Sequence, residues 1–205
     1  SLLNDAGYFT SMAGKWHLGE TRGQSPEARG FEKAFVLLQG GASHFGDSAP
    51  LLESIQASYR EGGVDVSIPD NFFSSDFYTD KLIEYLQSTS KANRPFFAYA
   101  AYTAPHWPLQ APDDYLERYR GVYDAGYDSL YKRRVENLIE RGVVRGSFLT
   151  SGNDWVEPWD ELNEEQKSIN SRRMEIYAAM VENMDHNIGR LINFLKKSGQ
   201  YGNTV

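Results

Sequence analysis

Apolar residues recur every three or four positions at Met174, Tyr177, Val181, Met184, Ile188, Leu191 and Leu195. That spacing lays one stripe along a helix, so a helix is predicted over 170–197 with Gly199 as its stop. Tyr78, Leu82, Tyr85 and Leu86 repeat in the same way behind Ser74 and Ser75, either of which can cap a helix that ends between residues 88 and 93. Shorter helices fit residues 114–119 and a segment through Arg141 marked by Tyr131, Val135 and Leu138. Residues 1–7 read as the last turns of another helix, closed by Gly7.

Elsewhere the period changes. Residues 95–102 are apolar without alternation, which predicts a strand covered by helices on both faces, as in a parallel sheet. Residues 8–13 and 35–38 are further strand candidates, the second ended by Gly40-Gly41, and minor strands fit 57–59 and 64–67. Residues 20–30 and 143–168 carry glycine and proline with little periodicity and read as surface excursions. Strands and helices in alternation predict an α/β fold, a three-layer α/β/α sandwich with a mostly parallel sheet. No internal repeat interrupts this order, and residues 1–205 read as part of one domain.

Composition narrows the function classes. A formal charge of −7 and a pI near 5.1 argue against a nucleic-acid partner, which needs a basic face. No apolar run approaches the ~20 residues of a membrane span, so no membrane partner is expected. With no cysteine, disulfides and thiolate metal sites are excluded, while either redox compartment fits, and no localisation is assigned.

The chemistry concentrates in two short segments, Gly14-Lys15-Trp16-His17-Leu18-Gly19 and Thr103-Ala104-Pro105-His106-Trp107-Pro108, each following a predicted strand. Open α/β sheets place ligands at that edge. In an extended run, residues two apart share a face, so Lys15 and His17 are expected to point together while Trp16 packs the other way. An ammonium and two imidazoles suit a tetrahedral oxyanion. Pro105 and Pro108 restrict the backbone around His106 and so aim its ring. A Gly-Lys-Trp-His tetrapeptide means little alone, and most single histidines are surface or satisfied core residues. What raises these above that background is their matching position.

Other candidates are weaker. His44, after Gly40-Gly41, is a candidate substrate-binding residue, with an exposed loop histidine as the plainer reading. Asp185-His186 are neighbours on a predicted helix and diverge around its axis, which disfavours a metal pair. Asp113 in Asp113-Asp114 reads as a helix cap, and Trp155 and Trp159 as packing residues that could also shape an entrance.

Ala6-Gly7-Tyr8-x-Thr10 followed by Gly14-Lys15-Trp16-His17-Leu18-Gly19 resembles the second signature of the type I sulfatases of the alkaline phosphatase superfamily. Residues 95–112, Arg29-Gly30-Phe31-Glu32, Gln39-Gly40-Gly41-Ala42-Ser43 and the helix around residues 177–190 are similar to further segments of that family, in the same order. The resemblance implies a central piece of a catalytic domain that hydrolyses sulfate monoesters, aryl or small alkyl sulfates. It implies that Lys15 and His17 touch the sulfate and the nucleophile. It further implies that His106 binds a sulfate oxygen and protonates the leaving oxygen. A formylglycine nucleophile and a divalent cation, usually calcium (Ca2+), belong to the family reaction. The Cys/Ser-x-Pro-x-Arg nucleophile segment, the paired acidic residues of the first strand, the Asp-Asn-Gly metal segment and a second lysine are absent from these residues. No metal ligand is therefore expected within residues 1–205, and the piece alone is expected to be inactive and prone to self-association through uncovered sheet edges. The alternatives are a phosphodiesterase or phosphonate monoester hydrolase of the same superfamily, or a non-catalytic anion-binding remnant.

Overall fold

β1 (Phe9–Lys15) is buried along almost its whole length, because small Ser11, Ala13 and Gly14 let neighbouring layers approach while Phe9 and Met12 fill opposite faces. In the computed structural model, residues 2–47, 49–50, 57–90, 94–145 and 156–205 are described, the side chains of residues 89 and 90 excepted. β1 pairs in parallel with β2 (Lys33–Leu37) on one side and with β5 (Phe96–Ala101) on the other. β3 (Tyr59–Glu61) and β4 (Val64–Val66) add an antiparallel hairpin beyond β2, giving the order β4-β3-β2-β1-β5. The α/β expectation therefore stands, with an open five-stranded sheet.

α1 (Leu2–Asp5) leads into β1, and Gly7 closes it at φ 85°. α2 (Ser74–Ser90) packs on β1 and β5 and buries Tyr78, Leu82 and Tyr85 against Phe9, Ala13, Phe35 and Leu37. Removing this apolar surface from water, at ~25 cal/mol per Å², stabilises the packing of α2 on the sheet. On the other face, Trp16, Phe31, Val36 and Leu38 gather around Met12. The segment read as an exposed excursion at 20–30 thus contributes to the core's edge: Ser25 is buried and the Gln24 carbonyl accepts the Trp16 indole N–H at 2.9 Å.

Two patterns mislead. β5 is open on one face, with Phe97 41% and Tyr99 49% exposed, although its residues predicted cover on both sides. Among the described residues β5 has β1 as its one neighbour in the sheet. α5 (Glu164–Lys197) begins six residues before its predicted start, and Tyr177, Val181 and Ile188 of its apolar stripe are exposed. Asn183 and Asn187 are buried instead, since both side-chain amides donate to the Asp76 carboxylate of α2, at 3.1 and 2.6 Å. That acceptor on α2 decides which face of this part of α5 turns inward.

The chain divides into two compact units, Ser1–Ala111 with Met180–Val205, and Pro112–Ala179. The second unit holds α3 (Asp113–Leu116), α4 (Gly126–Glu140) and the first half of α5. The cap of α3 falls on Pro112, with Asp113 inside the helix and not at its cap. Trp159 is a packing residue: its ring lies over Gly126, where a Cβ would come within 2.2 Å of it, and meets the Tyr127 ring edge-on. Within the same unit the Glu175 carboxylate accepts the Gly121 N–H at 2.7 Å and the Asp124 carboxylate accepts the Ser171 hydroxyl at 2.7 Å. Trp155 lies outside the described residues.

Candidate functional site at the carboxyl edge of the sheet

Parallel pairing sets the site. Gly14 lies opposite Ala101 and Lys15 opposite Leu37, so β1, β2 and β5 end together at one edge. Lys15 ends β1, and His17, Gly40 and His106 follow those ends. Gly14 makes the approach possible: at φ 127°, any Cβ there would stand 1.9 Å from the Ala101 carbonyl oxygen. Only glycine fits both that angle and that contact.

Lys15 is half-buried at the last position of β1. The expected alternation ends one residue later. Trp16 is buried, but His17 takes φ 53°, outside extended geometry, while its N–H still donates to the Leu38 carbonyl at 3.1 Å. Its imidazole is exposed and lies over Gly40, where a Cβ would come within 2.8 Å of Cε1. Gly40, read from sequence as the end of a strand, is thus also the floor beneath a site residue. Neither the Lys15 ammonium nor the His17 ring has a partner among the described residues, which leaves both available to an anion.

After β5 the chain turns through Thr103-Ala104-Pro105, with cis peptide bonds before Pro105 and Pro108. The His106 N–H donates to the Thr103 carbonyl at 3.0 Å. His106 is exposed, its ring stacked on Trp107 with centroids 5.6 Å apart. Nδ1 lies 2.6 Å from the Trp107 carbonyl. A carbonyl only accepts, so Nδ1 carries the hydrogen, leaving Nε2 as the ring's free nitrogen. Neutral His106 presents a lone pair there, and protonated His106 presents an acid.

His44 lies in the loop after β2 but is not the exposed residue that the plainer reading expects. It is fully buried, and every polar atom it owns has a partner. Its N–H donates to the Gln110 side-chain oxygen at 2.7 Å, and its carbonyl accepts the Ser74 N–H at 2.8 Å. Its Nδ1 lies 2.7 Å from the Ser74 hydroxyl and its Nε2 3.1 Å from the His106 carbonyl. Nε2 must donate to that carbonyl, so in the neutral ring Nδ1 accepts from Ser74. Burial lowers the His44 pKa, which the bond to the His106 backbone partly offsets and the charge on His106 reinforces. Ser74, expected as a cap, instead gives its hydroxyl to His44, and the Phe73 carbonyl receives the first helical N–H of α2, from Phe77.

The donor set at this edge is an ammonium and imidazoles. Calcium takes six to eight oxygen ligands, chiefly carboxylates and carbonyls, so these residues do not fit it. Among the described residues no group of three or more His, Asp or Glu could hold a metal ion. Asp185 and His186 are both exposed and form no such group.

A sequence model of the sulfatase family matches residues 1–205. The chain belongs to the sulfatase family. It is 41% identical to an arylsulfatase of Klebsiella aerogenes over 99% of its own length and 44% of that protein. It is also 41% identical to an uncharacterised sulfatase of Schizosaccharomyces pombe, over 99% of this chain and 38% of that one. This sulfatase chain therefore spans less than half the length of these two relatives. Among solved structures it resembles Ps i-CgsB in complex with k-i-k-neocarrahexaose, with a TM-score of 0.63 and 26% identity over 98% of this chain and 36% of that one. BT4656, solved with its substrate D-glucosamine-2-N,6-O-disulfate, shares the fold at a TM-score of 0.60 and 20% identity, over 98% of this chain and 46% of that one. The sheet is thus that of sulfatases with the alkaline phosphatase-like fold, a family of generally metal-dependent enzymes.

Proposed function

We propose that these 205 residues form the anion-gripping limb of a sulfuric ester hydrolase of the arylsulfatase type. Parallel registration of β1 with β5 carries this reading, since it sets Lys15 and His17 beside the loop that bears His106. Lys15 neutralises a non-bridging sulfate oxygen. His17 hydrogen-bonds the anion and the attacking group. His106 binds a sulfate oxygen through Nε2 and, when protonated, delivers that proton to the leaving phenol or alcohol. Such general-acid help contributes about 10²–10⁴-fold, and fixed cationic donors stabilise charge that builds in the transition state. A formylglycine nucleophile and calcium would come from outside these residues, which have no precursor cysteine and, among the described residues, no group of three or more His, Asp or Glu that could hold a metal ion.

The test uses the complete polypeptide that contains this segment. Hydrolysis of 4-nitrophenyl sulfate, reduced about 10²-fold or more by Lys15→Ala and by His106→Gln, is the expected result. Equal turnover in these variants and the wild type would remove both residues from the reaction. A preference for bis(4-nitrophenyl) phosphate over the sulfate would move the protein to a phosphodiesterase activity of the same fold. Binding of sulfate without turnover of either ester would leave an anion-binding protein.

A further inference from the structure

We infer that His44 is a positioning residue for His106, a buried imidazole that fixes the loop after β5 against the start of α2. This rests on the sulfatase reading for the role of His106, but its geometry stands apart from any reaction. His44 contacts two separate parts of the chain at once, through three residues. Its backbone N–H reaches Gln110 at 2.7 Å, beyond His106 in the same loop, and its Nε2 reaches the His106 carbonyl at 3.1 Å. Its Nδ1 and carbonyl hold Ser74 at 2.7 and 2.8 Å, at the first turn of α2. The Ser43 hydroxyl adds a third clasp, donating to Gln110 at 3.2 Å. The His106 imidazole itself is exposed and touches only its own neighbour Trp107 in these bonds, so its backbone is what the fold holds. A fully buried ring that donates to that backbone therefore sets where the catalytic Nε2 lies, and a misplacement of about 1 Å can cost 10²-fold in rate. The tautomer is dictated: Nε2–H toward the carbonyl, Nδ1 toward the hydroxyl. Protonation would put a second hydrogen on Nδ1, facing the Ser74 oxygen, and a charge where no water reaches.

The experiment compares wild type, His44→Gln, His44→Ala and Ser74→Ala in the complete polypeptide, with 4-nitrophenyl sulfate and the poorer substrate phenyl sulfate. A positioning role for the leaving-group acid predicts that kcat on phenyl sulfate falls about 10–100-fold further than kcat on 4-nitrophenyl sulfate, with KM changed little. His44→Gln, which can still donate to the His106 carbonyl, should recover much of the loss. Equal losses on both substrates, or a raised KM with kcat intact, would overturn the assignment. Selective ¹⁵N labelling of histidine supplies the second arm. His44 should show the Nε2–H tautomer and titrate below the ordinary histidine range, and the His106 resonances should shift in Ser74→Ala. An Nδ1–H tautomer, ordinary titration of His44, or unmoved His106 resonances would overturn it too. If the wild type turns over no sulfate ester, the sulfatase reading fails by itself, and the spectra alone decide the positioning.

Discussion

At Gly40 the missing side chain is filled by the His17 ring, with Cε1 only 2.8 Å from where a methyl would stand. Gly40→Ala should therefore displace the imidazole, lowering kcat of the complete enzyme about 10-fold or more, while thermal unfolding stays close to wild type; steady-state kinetics and calorimetry check the pair. His44 gives a pH prediction of definite sign. Burial holds its pKa below 6.5 in the folded state, so the unfolded chain binds the extra proton first. Its contribution to stability is whole above pH 6.5 and is lost as the pH falls from there toward the depressed folded value. Denaturant midpoints measured from pH 7.5 down to 5 should fall, and His44→Gln should flatten that slope. Sequence drew attention to Lys15, His17 and His106 as candidates through their place after predicted strands. It did not show the burial of His44, because a histidine after two glycines reads as an exposed loop residue until the Ser74 and Gln110 partners, 30 and 66 positions away, are in place.

α2 and α5 are joined by a polar clasp where periodicity predicted an apolar seam. Asp76 accepts from both Asn183 and Asn187, and Arg190 pairs with Asp80 one turn further on. Asp76→Ala strands the buried Asn183 amide, while the Asn187 amide keeps its bonds to Asn183, and should cost about 1–3 kcal/mol, measured by urea unfolding. Exchanging the exposed Arg190–Asp80 pair should change stability by less than about 1 kcal/mol. Helices α2 and α5 and strands β1, β2 and β5 were legible from spacing and apolar runs, and the edges of β3 and β4 to within about two residues. The inward face of α5 was not, because a period marks an apolar stripe without saying which surface meets it. Nor was the open face of β5 legible, since an unalternating run reads as buried whether or not anything lies across it.

For the polypeptide as a whole, the exposed Phe97 and Tyr99 on β5, whose outer edge has no partner strand among the described residues, make self-association of the isolated 205 residues the expected behaviour. Light scattering should show mass rising with concentration, and Tyr99→Lys should reduce it. The same isolated chain, mixed with calcium and 4-nitrophenyl sulfate, should release no phenolate, while the complete polypeptide should. Gly14→Ala tests what holds the sheet together at the site: its methyl would collide with the Ala101 carbonyl, costing about 3 kcal/mol or more in any context. That close passage has a wider meaning. The gauge between the two arms proposed to grasp the anion is ruled by main chain meeting main chain, with no side chain as spacer. Residues around the rim are accordingly free to diverge toward new esters while the jaws keep a constant width.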